Sequence, residues 1–496
     1  MKIIKLNKEA RKLIQQGINL SADCIKTTLG PDGRNAILGR VSMTPLITND
    51  GVTIAQQIES EDEIENLGCE LVKEVSRLSE LKAGDGTTTA TVLLQAIVNK
   101  CIAMLDDEET FLKKKNPVKM RLEIEKACDE IVKYLESVAV PVVTKEEIYK
   151  VAKVSVEIEE LAQIITEIFH KIGKDGAITV EEGTYKTEYE VVTGMEIGSG
   201  LLSPLFANKD DIYEITNPKV LVLKNKVEKV EELFSVADKV DKDGHNDVVV
   251  FARDFSKEVI ESLAKIKVVE NFTVLPIKST IPDKTYQQED LADLLGTTAF
   301  GDDEKLPENF LVSELGTCGK ITVTREKTTF IDGNGNTENR VKALKKELDK
   351  ETSEYNKEKL QKRISALSGG VAVIRVGAES QSEREYLRLK LDDAVLATKY
   401  AMQEGVVKGG GLALTEAADK LKESILTEAI KAPFNQIQAN SGGFLEIGEA
   451  VVDPLKVTKT ALLNACSVAG MIITTEVAVT NKKHETNTRQ GGEDNA

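Results

Sequence analysis

Tryptophan is absent from this 496-residue chain, and aromatic residues make up only 4% of it. Surfaces that stack single-stranded nucleic acid depend on aromatic rings, so that use is disfavoured. Basic residues are in deficit: 65 Lys and Arg against 82 Asp and Glu give a net charge of −17, the reverse of a nucleic-acid footprint. Only three histidines occur (His170, His245, His484), far apart, which leaves little for histidine acid–base or metal chemistry. The six cysteines (Cys24, Cys69, Cys101, Cys128, Cys318, Cys466) form no Cys-x-x-Cys pair and read as buried thiols in a reducing compartment. No window approaches the ~18 apolar residues of a membrane span. Met1 to Leu20 alternates charged and apolar residues, unlike a secretory signal. Two phosphate-binding templates are missing as well. Gly319-Lys320 is followed by Ile321 rather than Ser or Thr, and no Gly-x-Gly-x-x-Gly opens a helix. These absences leave the expectation of a soluble, cytoplasmic protein with no nucleic-acid and no membrane partner.

What is present is enough apolar material for several cores: 41% hydrophobic residues, with 30% charged residues to solvate the surface. The length predicts two to four domains. Lys8 to Thr28 has helical spacing and should stop at Leu29-Gly30-Pro31-Asp32-Gly33. Asn35–Gly39 and Pro45–Thr48 read as short strands, with Asn49-Asp50-Gly51 a turn. Glu63–Leu81, Thr89–Leu105, Pro117–Val138 and Lys145–Gly173 read as helices, and Ala177–Gly183 as a strand with a turn. From Gly194 to Gly370 strand runs (Val220–Leu223, Asp247–Phe251, Phe272–Ile277) alternate with helical patterns (Val227–Val240, Ser256–Ile266), which predicts a sheet with covering helices. The highly charged stretch Glu338–Leu367 is a helical pair or a solvated arm. Then come the strand Val371–Val376, a helix from Glu379 to Gln403, further helices, and a polar tail from Asn481 to Ala496 expected to be disordered. The helical beginning thus finds its match in the helical end, which suggests a discontinuous domain closed by both termini.

The most informative stretch is Ala83-Gly84-Asp85-Gly86-Thr87-Thr88-Thr89-Ala90, running into an apolar helix. Glycines let backbone approach a ligand, and N–H groups at a helix start attract phosphate oxygens. An aspartate in such an anion site would repel phosphate unless a divalent cation lay between them, and Mg²⁺ prefers oxygen ligands. The segment therefore points to a metal–nucleotide site. Three others accompany it: Thr28-Leu29-Gly30-Pro31, Asn49-Asp50-Gly51 and Gly409-Gly410-Gly411. Each alone is a weak signal, since a Gly-Pro after a helix is usually a stop and Asp-Gly usually a turn.

Taken together, and in this order, they resemble the ATP site of the group I chaperonins, the GroEL family. The resemblance runs nearly end to end. It includes Thr28–Asn35, Asn49–Val52, Glu74-Val75 leading to Ala83–Ala90, Lys171-Ile172-Gly173-Lys174-Asp175-Gly176, Gly369–Ile374, Glu404–Val407 and Ser467-Val468-Ala469-Gly470. It implies a multidomain α+β and α/β fold: a mostly helical equatorial domain closed by both termini, a small intermediate domain and an α/β apical domain. The implied boundaries are 1–136 and 405–480 for the equatorial parts, 137–193 and 371–404 for the intermediate parts, 194–370 for the apical domain and 481–496 for the tail.

The resemblance also implies residue roles. Thr28, Leu29, Gly30, Pro31, Asn49, Asp85, Gly86, Thr87, Thr88 and Thr89 should surround the phosphates of ATP, with the Asp85 carboxylate on Mg²⁺ and K⁺ as a further candidate cation. Gly410 and Asp453 should lie by the nucleoside. Asp393 should position the attacking water, with Asp50 assisting near the metal. An apolar client-binding rim would comprise Leu201, Leu205, Phe206, Leu233, Phe234, Ala237, Ile260 and Ala264; for Leu233 and Ile260 the alternative is ordinary helix–sheet core. Lys265 falls where the family is apolar. Hinges would lie at Pro141 and Gly405 and at Gly194 and Gly370. The implied activity is that of a ring-forming ATPase chaperone for non-native client proteins, a homo-oligomer of seven subunits per ring, with a co-chaperonin lid as a further candidate partner.

Three departures from the family pattern bear on this. Asn49 stands where the family usually has a lysine beside the phosphates. The stretch Asn440–Gly448 is short where the family has an insertion that packs on adenine and joins back-to-back rings, and Asn435 replaces an arginine of that contact. The tail lacks Gly-Gly-Met repeats. The first two lead to the expectation of a single ring with a more open adenine pocket. The alternative function is a client-binding scaffold with weak or no ATPase activity. A small-molecule phosphotransferase would need a substrate pocket with acid–base groups, and the sequence offers none.

Overall fold

The computed structural model describes residues 2–39, 45–106, 116–174, 176–209, 212–270, 272–281, 285–301, 310–421, 424–443, 445–448 and 450–482. The chain divides into two compact units, one made of Met1–Thr166 with Ala378–Ala496 and the other of Glu167–Gly377. The expected disordered tail lies, beyond Lys482, outside the described residues.

In chain order the first unit begins with β1 (Lys2–Leu6), α1 (Asn7–Ile25), β2 (Ala36–Leu38), β3 (Leu46–Thr48), α2 (Gly51–Gln56), α3 (Glu63–Ala83), α4 (Thr87–Asp106), α5 (Pro117–Val138) and α6 (Lys145–Val156). Helix α7 (Glu159–Ile172) carries the chain into the second unit. There follow β4 (Ala177–Glu182), β5 (Glu188–Val192), β6 (Gly194–Ile197), β7 (Tyr213–Thr216), β8 (Lys219–Val222), β9 (Lys226–Val227), α8 (Phe234–Lys242), β10 (Asp247–Ala252), β11 (Asp254–Phe255), α9 (Lys257–Val269) and β12 (Thr273–Lys278). The second unit ends with α10 (Tyr286–Leu295), β13 (Gly316–Val323), β14 (Thr328–Gly333), α11 (Glu338–Leu348), α12 (Glu354–Gly369) and β15 (Val371–Val376). The first unit then resumes with α13 (Gln381–Glu404), β16 (Val406–Lys408), α14 (Leu412–Lys420), α15 (Leu426–Ala429), α16 (Ala432–Asn440), β17 (Val452–Pro454), α17 (Leu455–Ile473) and β18 (Val477–Asn481).

Local chemistry explains the helix ends of the first unit. Asp62 caps α3 by accepting from Ile64 N and Glu65 N, and the left-handed Gly84 ends that helix. Asn116 caps α5 with Pro117 in its first turn, and Thr144 with Glu147 forms a capping box on α6. The apolar stripe of α1 (Ala10, Ile14, Ile18, Ile25) joins α3, α4, α5 and α17 in one core. Helix α4 is long and apolar enough to cross a membrane by composition alone, which corrects the expectation that no window comes near. Its Leu93, Leu94, Ile97, Val98 and Cys101 are buried in this helical core, and that accounts for its hydropathy. Five cysteines are buried as expected; Cys24 is exposed. Strands β1 and β18, which no sequence pattern announced, pair antiparallel from Lys2↔Asn481 to Leu6↔Val477 and close the unit with both ends of the chain.

The second unit is built on a seven-stranded mixed sheet in the order β12-β10-β8-β13-β14-β6, with β7 also on β13. Strands β8, β10 and β12 are parallel, and their apolar residues are buried, as covering on both faces requires. A three-stranded sheet places β15 between β4 and β5. The charged stretch 338–367 is the helical pair, not an arm. Arg340 of α11 and Arg363 of α12 both donate to the buried Asp290 of α10, at 2.7 Å from each Nε. Two expected helices differ. Lys145–Gly173 breaks at Glu157, which adopts a left-handed φ of 61°. Val227–Val240 begins instead as strand β9, followed by a single 3₁₀ turn at Val230–Leu233 before α8.

Candidate nucleotide site

Four chain-distant loops of the first unit line one cavity of about 560 Å³, within the usual range for small-molecule sites. Every residue named for the phosphates and nucleoside is in its wall: Thr28, Leu29, Gly30, Pro31, Asn49, Asp50, Asp85, Gly86, Thr87, Thr88, Thr89, Asp393, Gly410 and Asp453. Their convergence follows from the fold. Thr28 ends the 3₁₀ turn after α1, and its Oγ1 lies 3.5 Å from that of Thr88 at the start of α4. Asp50 caps α2, and Gly51 is pressed onto the same turn of α4. A Cβ on Gly51 would come within 2.7 Å of both Thr87 Oγ1 and Thr88 Oγ1. Gly86 enters α4 with φ +81°, and a Cβ there would lie 2.7 Å from Val457 Cγ1, so only glycine keeps this approach. The first N–H groups of a helix have no intrahelical acceptor, and those of Thr87–Thr89 belong to this wall. Their dipole favours an anion.

Against those donors stand carboxylates. Asp85 is pushed up to about 6 by loss of solvation in the pocket; Asp50 nearby adds to the rise, and Gly86 N–H and Lys390 oppose it. Asp393, on α13, is raised well above the carboxylate range by desolvation and by the charges of Asp85 and Asp50. Asp453 rises to about 7 through desolvation and the charge of Asp85, although Gly410 and Gly411 N–H donate to it. It is delivered there by the β16–β17 pair, in which Val407 faces Asp453. Asp50 has a structural task as well. Its carboxylate accepts from Thr53 N at 2.9 Å and Val52 N at 3.2 Å, and from Thr53 Oγ1. Like charges gathered in this way raise one another's pKa, and a cation between them would relieve the repulsion. Among the described residues no group of three or more His, Cys, Asp or Glu forms a metal cage. That donor set suits Mg²⁺ shared between one or two carboxylates, phosphate oxygens and water. Asp85, with Asp50 beside it, could hold the ion.

One end of the cavity is mostly apolar: Pro433, Ile437, Leu445, Ile447 and Val451 line it, with Glu446 among them. The short loop at this end folds back on α16. Gln438 Nε2 donates to Leu445 O at 2.7 Å, and Leu445 N donates to Gln438 Oε1 at 2.9 Å. Asn440 Nδ2 ties the same region to the carbonyls of Lys26 and Leu29 at 2.9 and 2.8 Å. Lys390, Glu157 and Ile447 also line the cavity and were not singled out from the sequence. For Lys390 a signal existed: it precedes Asp393 by three residues and so shares its helix face.

The sequence model of the TCP-1/cpn60 chaperonin family matches residues 22–429. The chain belongs to that family. Among solved structures, it is similar to the chaperonin gp146 from the bacteriophage EL 2 (Pseudomonas aeruginosa), determined in the presence of ATP-BeFx. Crystal form II matches with TM-score 0.69 and 18% identity over 97% of this chain and 100% of that one. Crystal form I matches with TM-score 0.62 and 19% identity over 97% and 99%. At these identities the likeness is one of fold, and the fold is the GroEL-like multidomain arrangement.

In this chaperonin the expected rim residues of the second unit divide. Leu205 and Phe234 are exposed, at 58% and 50%, and Leu201, Ala237 and Ile260 are partly buried against the core. Phe206, Leu233 and Ala264 are core residues at 0–3% exposure, which corrects their place on the rim. Each belongs to the buried core of the second unit, where both 3₁₀ turns pack against α9. Of the expected hinge residues, Gly405 has φ +87° beside Val140, whose N and O pair with Val406, next to Pro141. Gly194 packs against Val371, the neighbour of Gly370.

Proposed function

We propose that this chaperonin binds and hydrolyses Mg·ATP in the cavity of the first unit and uses the cycle to bind and release non-native proteins. The observation that carries the reading is the convergence of Thr28–Pro31, Asn49–Gly51, Asp85–Thr89 and Gly410 with Asp393 and Asp453 around one cavity that has no P-loop lysine. The Thr87–Thr89 amides and hydroxyls would take phosphate oxygens, and Asp453 the ribose hydroxyls. Pro433, Ile437, Leu445 and Ile447 would enclose the base. Mg²⁺ on Asp85 would neutralise charge on the phosphate oxygens. Asp393 would accept a hydrogen bond from water and hold it in line with the terminal phosphorus; water adds, the bridging oxygen leaves with ADP, and phosphate is released. Replacing Asp393 by Ala should lower ATP turnover about 100-fold or more while Mg·ATP still binds. Equal turnover in variant and wild type would remove this role.

Client capture would fall to the exposed Leu205 and Phe234, with Val268, Val269 and Leu311 also exposed on the second unit. Ring formation is supported by two separate apolar patches on the first unit. One is the outer face of β1–β18, with Ile4, Leu6, Val477 and Val479; the other is the β2–β3 pair, with Ile37 and Ile47 opposite each other. Unlike patches that meet head to tail close into rings where the rotation between copies closes. The equatorial, intermediate and apical division, seven subunits, a single ring, a lid, K⁺ dependence and a cytoplasmic location complete the proposal. Stacked double rings in negative-stain images without nucleotide would reject the single ring. A second reading, a scaffold with weak ATPase activity, is favoured by Asn49, which puts a neutral amide in the phosphate wall. The Asp393→Ala comparison separates the two.

A further inference from the structure

Six carboxylates line the cavity (Asp50, Asp85, Glu157, Asp393, Glu446, Asp453) against three ammonium groups, Lys153, Lys390 and Lys408. Two of the three cations are solvent-facing: Lys153 is 50% exposed and 3.9 Å from Glu159, and Lys408 is 65% exposed and pairs with Glu416 at 2.6 Å. Lys390 differs, with a side chain only 8% exposed. A lysine is almost never buried unless something negative needs it. Its ion-pair partner, Glu157 at 2.5 Å, is itself 49% exposed and gives up only part of its solvation; with the Tyr386 ring 5.7 Å away it offsets only part of the cost of burying the ammonium.

Two further features aim this group at the phosphate end. Lys390 lies one helical turn before Asp393 on α13, and its charge acts on Asp85. Glu157, the non-glycine residue with left-handed φ 61° at the end of α6, is held in a sparsely populated conformation that keeps its carboxylate at Lys390. An ammonium has three donors, so one can remain on Glu157 while another turns to the cavity.

We propose that Lys390 is a phosphate-binding residue of this chain, anchored by Glu157 and directed at the terminal phosphate of the nucleotide. The proposal rests on the reading of the cavity as an Mg·ATP site. Lys390 supplies there the positive charge that position 49, an asparagine, does not. The ligand group it recognises is the third, γ phosphoryl group, which a nucleoside diphosphate lacks.

The test is calorimetric titration of the full-length chain with Mg·ADP, and with Mg·ADP plus beryllium fluoride as a terminal-phosphate mimic. Lys390→Gln should weaken binding of the fluoride complex by about tenfold or more, the worth of one charge-assisted hydrogen bond. Mg·ADP affinity should change by less than about twofold, and Lys390→Arg should restore most of the loss. Glu157→Gln removes the anchor but not the charge and should cost less than Lys390→Gln; it also serves if Lys390→Gln does not fold. Equal losses for both nucleotide states, or an effect of Glu157→Gln matching that of Lys390→Gln, would mean the pair is only structural and would overturn the inference. Unchanged binding in Lys390→Gln would do the same. If the wild type takes up no Mg·ADP at all, the nucleotide reading itself falls.

Discussion

Asp453 shows how a single side chain couples the cavity to pH. Its folded-state pKa, about 7, lies above that of an exposed aspartate, so the folded chain holds this proton more tightly than the unfolded chain. The associated stability is fully present below about pH 4 and is lost as pH rises through 7. Asp453→Asn removes that dependence, and its amide oxygen can still accept from Gly410 and Gly411. Without nucleotide, the variant should melt at nearly the wild-type temperature at pH 4.5 and above it at pH 8. A gap that stays constant between those pH values would show that the carboxylate is solvated after all.

At the scale of elements, the loop at 445–448 shows how one glutamine can replace a longer insertion. Gln438 uses both ends of its amide on Leu445, so the base wall hangs on two hydrogen bonds. Gln438→Ala should weaken Mg·ATP binding by up to about thirtyfold, from two neutral bonds of about 1 kcal/mol each, and should leave the melting temperature nearly unchanged. Unaltered affinity would show that the wall is held by packing of Ile447 and Ile437 alone. Sequence legibility followed the same lines. Helices with caps and periodic stripes, such as Pro117–Val138 behind Asn116, were readable to the residue. The break at Glu157 was not, because a left-handed glutamate has no signature where glycine or asparagine is the usual choice. Strands β1 and β18 escaped for another reason: each becomes a strand only through a partner more than 400 residues away, a tertiary effect that local pattern does not carry. The phosphate loops were legible as glycine and threonine strings, yet the shared cavity was implied by family resemblance, not by spacing. Phe206, Leu233 and Ala264 went astray because an apolar residue on a short helix looks alike whether it faces solvent or sheet.

For the whole molecule, assembly is the property most open to measurement. If the Ile37–Ile47 patch meets the β1–β18 face of a neighbouring copy, Ile37→Lys should place an unpaired charge in that contact. It should shift the chain from a ring-sized particle to monomers in mass photometry, with the helical circular dichroism unchanged. A ring that persists in this variant would move the interface elsewhere. The discontinuity of the first unit has a consequence during synthesis. Residues 167–377 form a compact body of their own and leave the ribosome before α13 and α17 exist. The first 166 residues must then wait, with the apolar sides of α3, α4 and α5 lacking their cover from α17. A nascent chaperonin of this design is thus, until its last helices have been translated, a client-like polypeptide itself. Arrest of translation near residue 400 should yield a chain whose inserted body resists protease while its leading helices are cut.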